Sequence, residues 1–297
     1  MSFDLNLWAR SQGWSMAGVS PPELGEKSAQ NFEAWLQDSS APGLSYIERR
    51  KKERLDPKLY FKGLKSILCF GLYYFPGWAK NSIKISNYAW SGDYHRRLTD
   101  KIEESMALLQ RELGVFDYRI AVDTSPVLEK TLAVQAGLGW QGKNSLVLNR
   151  EHGSLFFLGE AYTNLPLERF QAPRLSQNHC GSCTRCLEAC PTQALTPFQL
   201  DAKKCISYWN LEHKGSFDQT TPAWSEWIAG CDICQEVCPW NQKLIPLEAA
   251  SEPAFSAEEI LEQDFKSWAQ QSALQYVKAE SWPRNLEWIS KKSESES

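Results

Sequence analysis

The sequence predicts a mixed α/β (α+β) domain over residues 1–170, a small cysteine-rich module over 171–245 and a short helical tail over 246–297. Three observations predict it. Helical and strand-like segments alternate through the first 165 or so residues, which is the pattern of layered helices and strands. From about Arg174 to Leu244 the composition shifts to cysteine, proline and polar residues. Beyond that, Ser256 to Glu259 matches a capping box that opens a helix toward Phe265.

Taken in order, Phe3 to Gln12 reads as a short helix and Ser15 to Ser20 as a strand, with a second helix at Ala29 to Gln37 after Pro21 and Pro22. Ser66 to Tyr74 is an apolar strand carrying Cys69, a buried and inert thiol by its surroundings. Leu98, Ile102, Met106, Leu108 and Leu109 space a helix over Asp93 to Leu113, which Gly114 stops. Tyr118 to Asp123 is a strand, and Ser125 with Pro126 predicts the cap and first residue of a helix that ends at Gly137. Ser145 to Asn149 and Ser154 to Glu160 read as a hairpin through Arg150 to Gly153. The last residues, Ser290 to Ser297, are charged and small and are expected to be disordered.

The cysteines carry the chemistry. Eight of nine lie between Cys180 and Cys238. Cys180, Cys183, Cys186 and Cys190, with Pro191, follow the two-cluster ferredoxin spacing C-x2-C-x2-C-x3-C-P, in which the fourth cysteine serves the other cluster. Cys231, Cys234 and Cys238, with Pro239, form the second run. Crossing the fourth cysteines gives one site of Cys180, Cys183, Cys186 and Cys238 and another of Cys190, Cys205, Cys231 and Cys234. Structural zinc also uses C-x2-C pairs, but paired zinc knuckles need neither the third cysteine of the first run nor the two C-P endings. Disulfides are disfavoured by metal-loop spacing and by a start, MSFDLNLWAR, that lacks a basic region followed by an apolar one. The expectation is a cytoplasmic protein with no membrane segment.

With 297 residues, 42% hydrophobic content and a formal net charge of −4, the chain has enough apolar material for a large core and is no indiscriminate nucleic-acid binder. Charge is uneven, however. Between Glu48 and Lys65 eight Lys or Arg face three acidic residues, a local net of +5 that suits phosphate contact or a solvated helix face.

A second informative place is the junction at Asp123, where a strand stops and a helix is expected; in open α/β sheets such positions face ligand crevices. The following Gly137 to Asn144 packs three glycines, two amides and a cation into eight residues, allowing backbone to approach a large ligand closely. It is not a dinucleotide fingerprint, because it follows a helix rather than a strand.

These pieces resemble the epoxyqueuosine reductase family. The resemblance rests on DTSPVLEKTLAVQAGLGWQGKNSLVLN from Asp123, HGSLFFLGE from His152, CGSCTRCLEACPTQAL from Cys180, CISYWNLEHKG from Cys205 and CDICQEVCPWN from Cys231. RLDPKLYFKGLKSI from Arg54 and SNYAWSGDYHRRL around Tyr88 to His95 extend it over nearly all of residues 1 to 245. The resemblance implies reduction of epoxyqueuosine to queuosine at the wobble position of tRNA, the last step of queuosine biosynthesis. It also implies cobalamin, two [4Fe-4S] clusters, a cofactor domain similar to that of reductive dehalogenases, and Asp123 as proton donor. Corrin contacts are expected from Arg54, Tyr88, Asp123, Gly142, Lys143, Asn144, Ser145 and Asp232, and a tRNA phosphate contact from Lys214. Expected partners are the tRNA anticodon stem-loop and a flavodoxin or ferredoxin, acting on a monomer. Many members are longer, some with C-terminal helical repeats.

The chemistry agrees with the resemblance. Removing an epoxide oxygen as water takes two electrons and two protons, which iron–sulfur clusters and a reduced corrinoid supply with an acid at hand. A carboxyl donates near neutral pH only if desolvation raises its pKa, whereas a helix N-terminus beside Asp123 would favour the charged form. Reductive dehalogenation and a ferredoxin-like electron carrier are the competing readings. The specific AGLGW-GKN block weighs against the first, and some 170 residues before the first cluster cysteine weigh against the second.

Overall fold

The computed structural model describes residues 2–38, 44–248 and 251–296, with side chains described up to residue 291. Asp4 caps helix α1 (Leu5–Ser11) by accepting the Leu7 N–H, and the chain enters strand β1 (Met16–Ser20). Helices α2 (Glu26–Asp38), α3 (Ser45–Arg49), α4 (Lys51–Leu55) and α5 (Pro57–Tyr60) precede strand β2 (Ser66–Tyr73). The short β3 (Lys84–Ile85) leads to the long helix α6 (Tyr94–Leu113), capped by Asp93 and ended by Gly114 at φ 82°. Strand β4 (Tyr118–Ala121), helix α7 (Glu129–Gln135), the ribbon β5 (Trp140–Gln141) with β6 (Val147–Leu148), and strand β7 (Phe156–Thr163) follow.

The main sheet has the order β1-β2-β7-β4, and every pairing in it is antiparallel. β7 is buried along its whole length because it is central and covered on both faces. Leu98, Ile102, Met106 and Leu109 of α6 pack on one face with Trp8 and Ala9 of α1. Leu132 and Ala133 of α7 pack on the other with Ile67, Cys69, Leu158 and Tyr162. The inert reading of Cys69 agrees with its complete burial there.

The cysteine module holds α8 (Arg185–Glu188), the ribbon β8 (Leu195–Thr196) with β9 (Gln199–Leu200), a π-helical turn at Tyr208–Glu212, β10 (Trp227–Ala229) and α9 (Ile233–Glu236). The tail forms α10 (Gln263–Gln271) and α11 (Ser281–Glu296). A separate core joins Ile85, Ala89 and Trp90 to Trp224, Trp227 and Ile228 and to Ile260, Phe265, Leu274, Trp282 and Leu286. The tail is therefore packed against both the cysteine module and the β3–α6 connection, and β10 pairs with β3 in parallel.

Four local expectations change. The antiparallel sheet removes the parallel-sheet argument for a crevice at Asp123. Helix α7 starts at Glu129 instead of Ser125, because Ser125 N–H bonds Val122 O, Val127 N–H bonds Ser125 O, and Pro126 and Val127 are buried in a turn. The hairpin is reduced to a single bridge, Asn149 to Gly153; Val147 and Leu148 pair with Gln141 and Trp140, which leaves Phe156 onward free to join the main sheet. Helix α11 continues to Glu296 through residues expected to be disordered, with a Lys291–Glu287 pair on its surface; Ser297 lies outside the described residues.

Candidate active site and cluster sites

Asp123 follows β4 in a left-handed turn at φ 42°, a conformation that Asp tolerates better than most residues and that turns its side chain out of the strand path. Its side chain is 47% exposed, and Oδ2 lies 3.0 Å from His95 Nε2. The other ring nitrogen of His95 lies 2.8 Å from Asp93 Oδ1, the cap of α6. Asp93 Oδ2 in turn accepts from Gln275 Nε2 at 2.7 Å, a contact from the tail. Tyr94 stacks on His95 with centroids 4.0 Å apart and on Phe157 at 4.2 Å, fixing the imidazole plane against the sheet.

Electrostatics mark the other groups around this turn. Burial opposes charge on His95, but the hydrogen bonds to Asp123 and Asp93 prevail and hold its pKa above the ordinary 6.5. Burial pushes the Tyr46 phenol up to about 12, helped by the charges of Glu212 and Asp123. Glu212 is likewise raised by burial and by Asp123. Tyr88 and Tyr276 share a hydrogen bond, and burial raises both phenols, so they stay neutral donors. Behind Asp123, burial and the Asp123 charge push Glu129 up toward neutrality, and the Glu129 carboxyl accepts the Asp123 backbone N–H. The result is an open carboxylate ringed by neutral phenols, with Tyr46 40% and Tyr276 49% exposed beside it.

The sequence-predicted residues divide. Tyr88 belongs to this ring, and so does Arg54, which is buried, donates Nη1 to Ile47 O at 3.2 Å and acts on Tyr46. Asp232 is fully buried and accepts from the Ser86 hydroxyl and the Asn87 N–H, so it anchors the loop that carries Tyr88; burial raises it to about 7. Gly142, Lys143 and Asn144 support the cysteine loops. Lys143 Nζ donates to Gly181 O at 2.7 Å and Cys183 O at 2.9 Å, which commits its ammonium there. Asn144 reaches Cys234 O, and a Cβ on Gly142 would sit 2.7 Å from Asn144 Oδ1. Ser145 is left-handed at φ 65°, with a buried hydroxyl that lacks a protein partner. Lys214 is exposed near Glu212. In the basic stretch, Arg50, Lys51 and Lys58 pair with Glu53, Glu33 and Glu23 and Arg54 is buried, so half of its eight cations are already engaged.

The eight module cysteines form two groups. Cys180, Cys183, Cys186 and Cys238 line one cavity of about 280 Å³, with Trp240, His179 and Lys243 at its wall. Cys190, Cys205, Cys231 and Cys234 act on one another electrostatically in a second group. Burial and neighbouring thiols push up the pKa of Cys186, Cys205, Cys231, Cys234 and Cys238, so thiolates here need positive charge between them. Among the described residues no three His, Cys, Asp or Glu side chains converge on a single ion-sized point.

Sequence reasoning passed over Tyr46, Glu129, Glu160, Glu212, Gln275 and Tyr276. Glu129 and Glu212 lie inside the quoted DTSPVLEK and CISYWNLEHKG blocks, where Asp and Cys drew the attention. Gln275 and Tyr276 carry no local signal, since only the folded tail brings them to Asp93 and Tyr88.

Residues 54–124 match the family model described as epoxyqueuosine reductase QueG, DUF1730, and residues 179–241 match the 4Fe-4S double cluster binding domain. The epoxyqueuosine reductase of Leadbetterella byssophila is 37% identical over 97% of this chain and 98% of its own length. The chain belongs to the epoxyqueuosine reductase family. It is an oxidoreductase by that membership. The Pseudomonas aeruginosa epoxyqueuosine reductase is also 37% identical, over 94% of this chain and 82% of its own length. Among solved members of this family, the epoxyqueuosine reductase of Streptococcus thermophilus superposes with a TM-score of 0.76 at 26% identity, covering 95% of this chain and 79% of that one. Another, bound to a tRNA-Tyr stem loop carrying epoxyqueuosine, gives 0.76 at 25% identity with the same coverage. Among the described residues no helix is long and apolar enough to cross a membrane.

Proposed function

We propose that this chain reduces epoxyqueuosine to queuosine at the wobble position of a tRNA anticodon, in the cytoplasm, with a corrinoid over the Asp123 ring and two [4Fe-4S] clusters in the cysteine module. The observation that carries the reading is the Asp123 carboxyl itself, held by His95 at 3.0 Å, open to solvent and acting on the neutral phenols of Tyr46 and Tyr88. The family relative solved with an epoxyqueuosine-modified stem loop supports the substrate.

The donor sets fit the groups. Four crowded, partly buried thiols on each side of the crossed pattern suit a cluster with Cys180, Cys183, Cys186 and Cys238, and another with Cys190, Cys205, Cys231 and Cys234. Half-exposed Tyr46 and Tyr276, with Tyr88 and Arg54, offer aromatic faces and donors to a broad ring system. His95 has both ring nitrogens engaged by carboxylates and so serves Asp123 and not a metal. When bound, a corrinoid would supply a strongly reducing cobalt centre, and clusters held by the two thiol sets would supply one-electron carriers between it and a flavodoxin or ferredoxin.

The chain's own residues handle the protons. Asp123 delivers a proton to the epoxide oxygen as the ring opens, and the oxygen leaves as water after a second proton. Because His95 faces a carboxylate at each nitrogen, its doubly protonated form matches both, and its proton is available to Asp123. Exposed Lys214 and the uncommitted cations of the Glu48–Lys65 stretch face the tRNA backbone.

The test is anaerobic purification with reconstituted iron and added cobalamin, then single turnover on tRNA carrying epoxyqueuosine, with nucleosides read by mass spectrometry. Queuosine that requires both corrinoid and clusters supports the reading; Asp123→Asn with normal corrinoid binding and wild-type turnover overturns the acid assignment.

A further inference from the structure

The two four-thiol groups are unequally placed. Around the second, Ala202, Ile206, Ala229 and Asp232 are buried. Asp232 also accepts from the Ser86 hydroxyl and the Asn87 N–H, which ties that group to the loop carrying Tyr88 of the Asp123 ring. Around the first, Gly181, Thr184, Arg185, Pro239 and Lys243 are exposed. The groups are neighbours, because α8, which carries Cys186, packs on α9, which carries Cys234. Electron transfer weakens steeply with distance, so the first group is the place where an electron from another protein enters, and the second is the step toward Asp123.

The mouth of the first cavity is cationic. Arg185 and Lys243 both line it, and no Asp or Glu among the described residues does so. Lys243 Nζ lies 4.8 Å from the centre of the Trp240 ring, which holds the ammonium at the rim by cation–π attraction. Arg150 Nη2 donates to Nε2 of His179, another wall residue, at 2.9 Å. The acids nearby in sequence are engaged: Glu188 accepts from the Thr184 hydroxyl, and Glu151 pairs with Arg10. Three cations therefore frame an exposed cysteine loop on a chain whose net charge is −4. Redox encounters are small and brief, and opposite charge around the two redox centres steers them into register. A polyanion such as RNA would gain nothing from having these charges arranged around a cluster site.

We propose that the face framed by Arg150, Arg185, Lys243 and the Trp240 ring is the docking site of the electron donor, a small protein with acidic residues around its one-electron cofactor. Each encounter moves one electron: the donor's cofactor is oxidised, the first cluster is reduced, and no bond is made or broken. Two encounters supply the electron pair that one turnover consumes. This inference rests on the two-cluster reading of the cysteine module.

The experiment mixes oxidised, cluster-loaded protein anaerobically with reduced flavodoxin in a stopped-flow instrument and follows bleaching of the clusters in the visible. Methyl viologen radical, a cationic donor, is the control. In the wild type the second-order rate with flavodoxin should fall as salt rises. Arg185→Glu with Lys243→Glu should slow flavodoxin at least ~10-fold and remove that salt dependence, while methyl viologen reacts no more slowly. Both side chains are exposed, so iron content should be unchanged. Should the double variant load poorly, Arg185→Gln with Lys243→Gln serves, with a smaller loss in the same direction. Unchanged flavodoxin rates, or equal losses with both donors, overturn the docking site. Weakened binding of an epoxyqueuosine stem-loop with flavodoxin rates intact also overturns it and gives the face to RNA. Wild-type protein that reconstitutes to about four irons instead of about eight fails the two-cluster reading itself, so the two failures are told apart.

Discussion

His95 Nε2 lies 3.0 Å from Asp123 Oδ2 while His95 Nδ1 lies 2.8 Å from Asp93 Oδ1, so one imidazole ties the cap of the long helix α6 to the turn after β4. His95→Ala removes the tie and the nearby proton. Single-turnover reduction should fall roughly 10²-fold with stem-loop affinity unchanged. Because the His95 pKa is raised, its charged pairing is complete below the ordinary 6.5 and is lost as pH rises through the folded value. Wild-type turnover should therefore decline on the alkaline side, and His95→Ala should lose that limb. A His95→Ala profile parallel to wild type would separate the imidazole from proton delivery.

Glu160 makes a stability prediction of opposite slope from an ordinary ion pair. Its native pKa lies well above its ordinary 4.5, chiefly through burial. Between those two values the folded protein holds a proton that the unfolded chain has released, so stability falls as pH rises through that window. Glu160→Gln keeps the shape and removes the penalty. Melting of the cluster-loaded variant should depend less on pH, with a Tm at pH 8 a few degrees above wild type. A variant less stable than wild type at pH 8 would show that Glu160 has a partner there.

Where sequence and structure part company, the cause is tertiary. Periodicity places the core of α6, because Leu98, Ile102, Met106 and Leu109 repeat at helical spacing on a long element. The cysteine spacing groups the thiols, because metal loops constrain sequence tightly. Ser125-Pro126 carries a good helix-start signal, yet burial of Pro126 and Val127 holds a turn and delays α7 to Glu129. That shift matters for Asp123, which sits clear of the helix end instead of capping it, so the expected dipole opposition to an acid is weakened. Lys143 and Asn144 were legible as important, but their partners were not, since a cation in a glycine-rich loop does not announce that its acceptors, Gly181 O and Cys183 O, lie some forty residues away. Tyr276 was illegible, because only packing of the tail brings it to Tyr88.

Lys143 should matter to the first cluster loop. Its ammonium bonds two carbonyls of the Cys180–Cys183 turn, and hydrogen bonds to charged groups are worth about 1.5–3 kcal/mol each when removed. Lys143→Ala should lose the first cluster roughly tenfold faster in air, read as visible absorbance decay, while the second persists. Uniform loss of both would place Lys143 in overall folding.

The crossed ligand pattern makes the sharpest demand. Cys186 and Cys190 are close in sequence, yet the structure puts Cys186 with Cys238 around the first cavity and Cys190 with Cys205 and Cys234 in the second group. Changing two ligands of one cluster costs that cluster, whereas changing one ligand of each costs both. Cys186→Ser with Cys238→Ser should therefore drop reconstituted iron from about eight to about four per chain, and Cys186→Ser with Cys190→Ser should take it well below four. If each cysteine run held its own cluster, the outcomes would be reversed, because Cys186 and Cys190 would then share a site and Cys238 would belong elsewhere. Iron analysis with electron paramagnetic resonance of the reduced proteins distinguishes the two patterns, since a surviving cluster keeps its own signal when its four thiolates are intact.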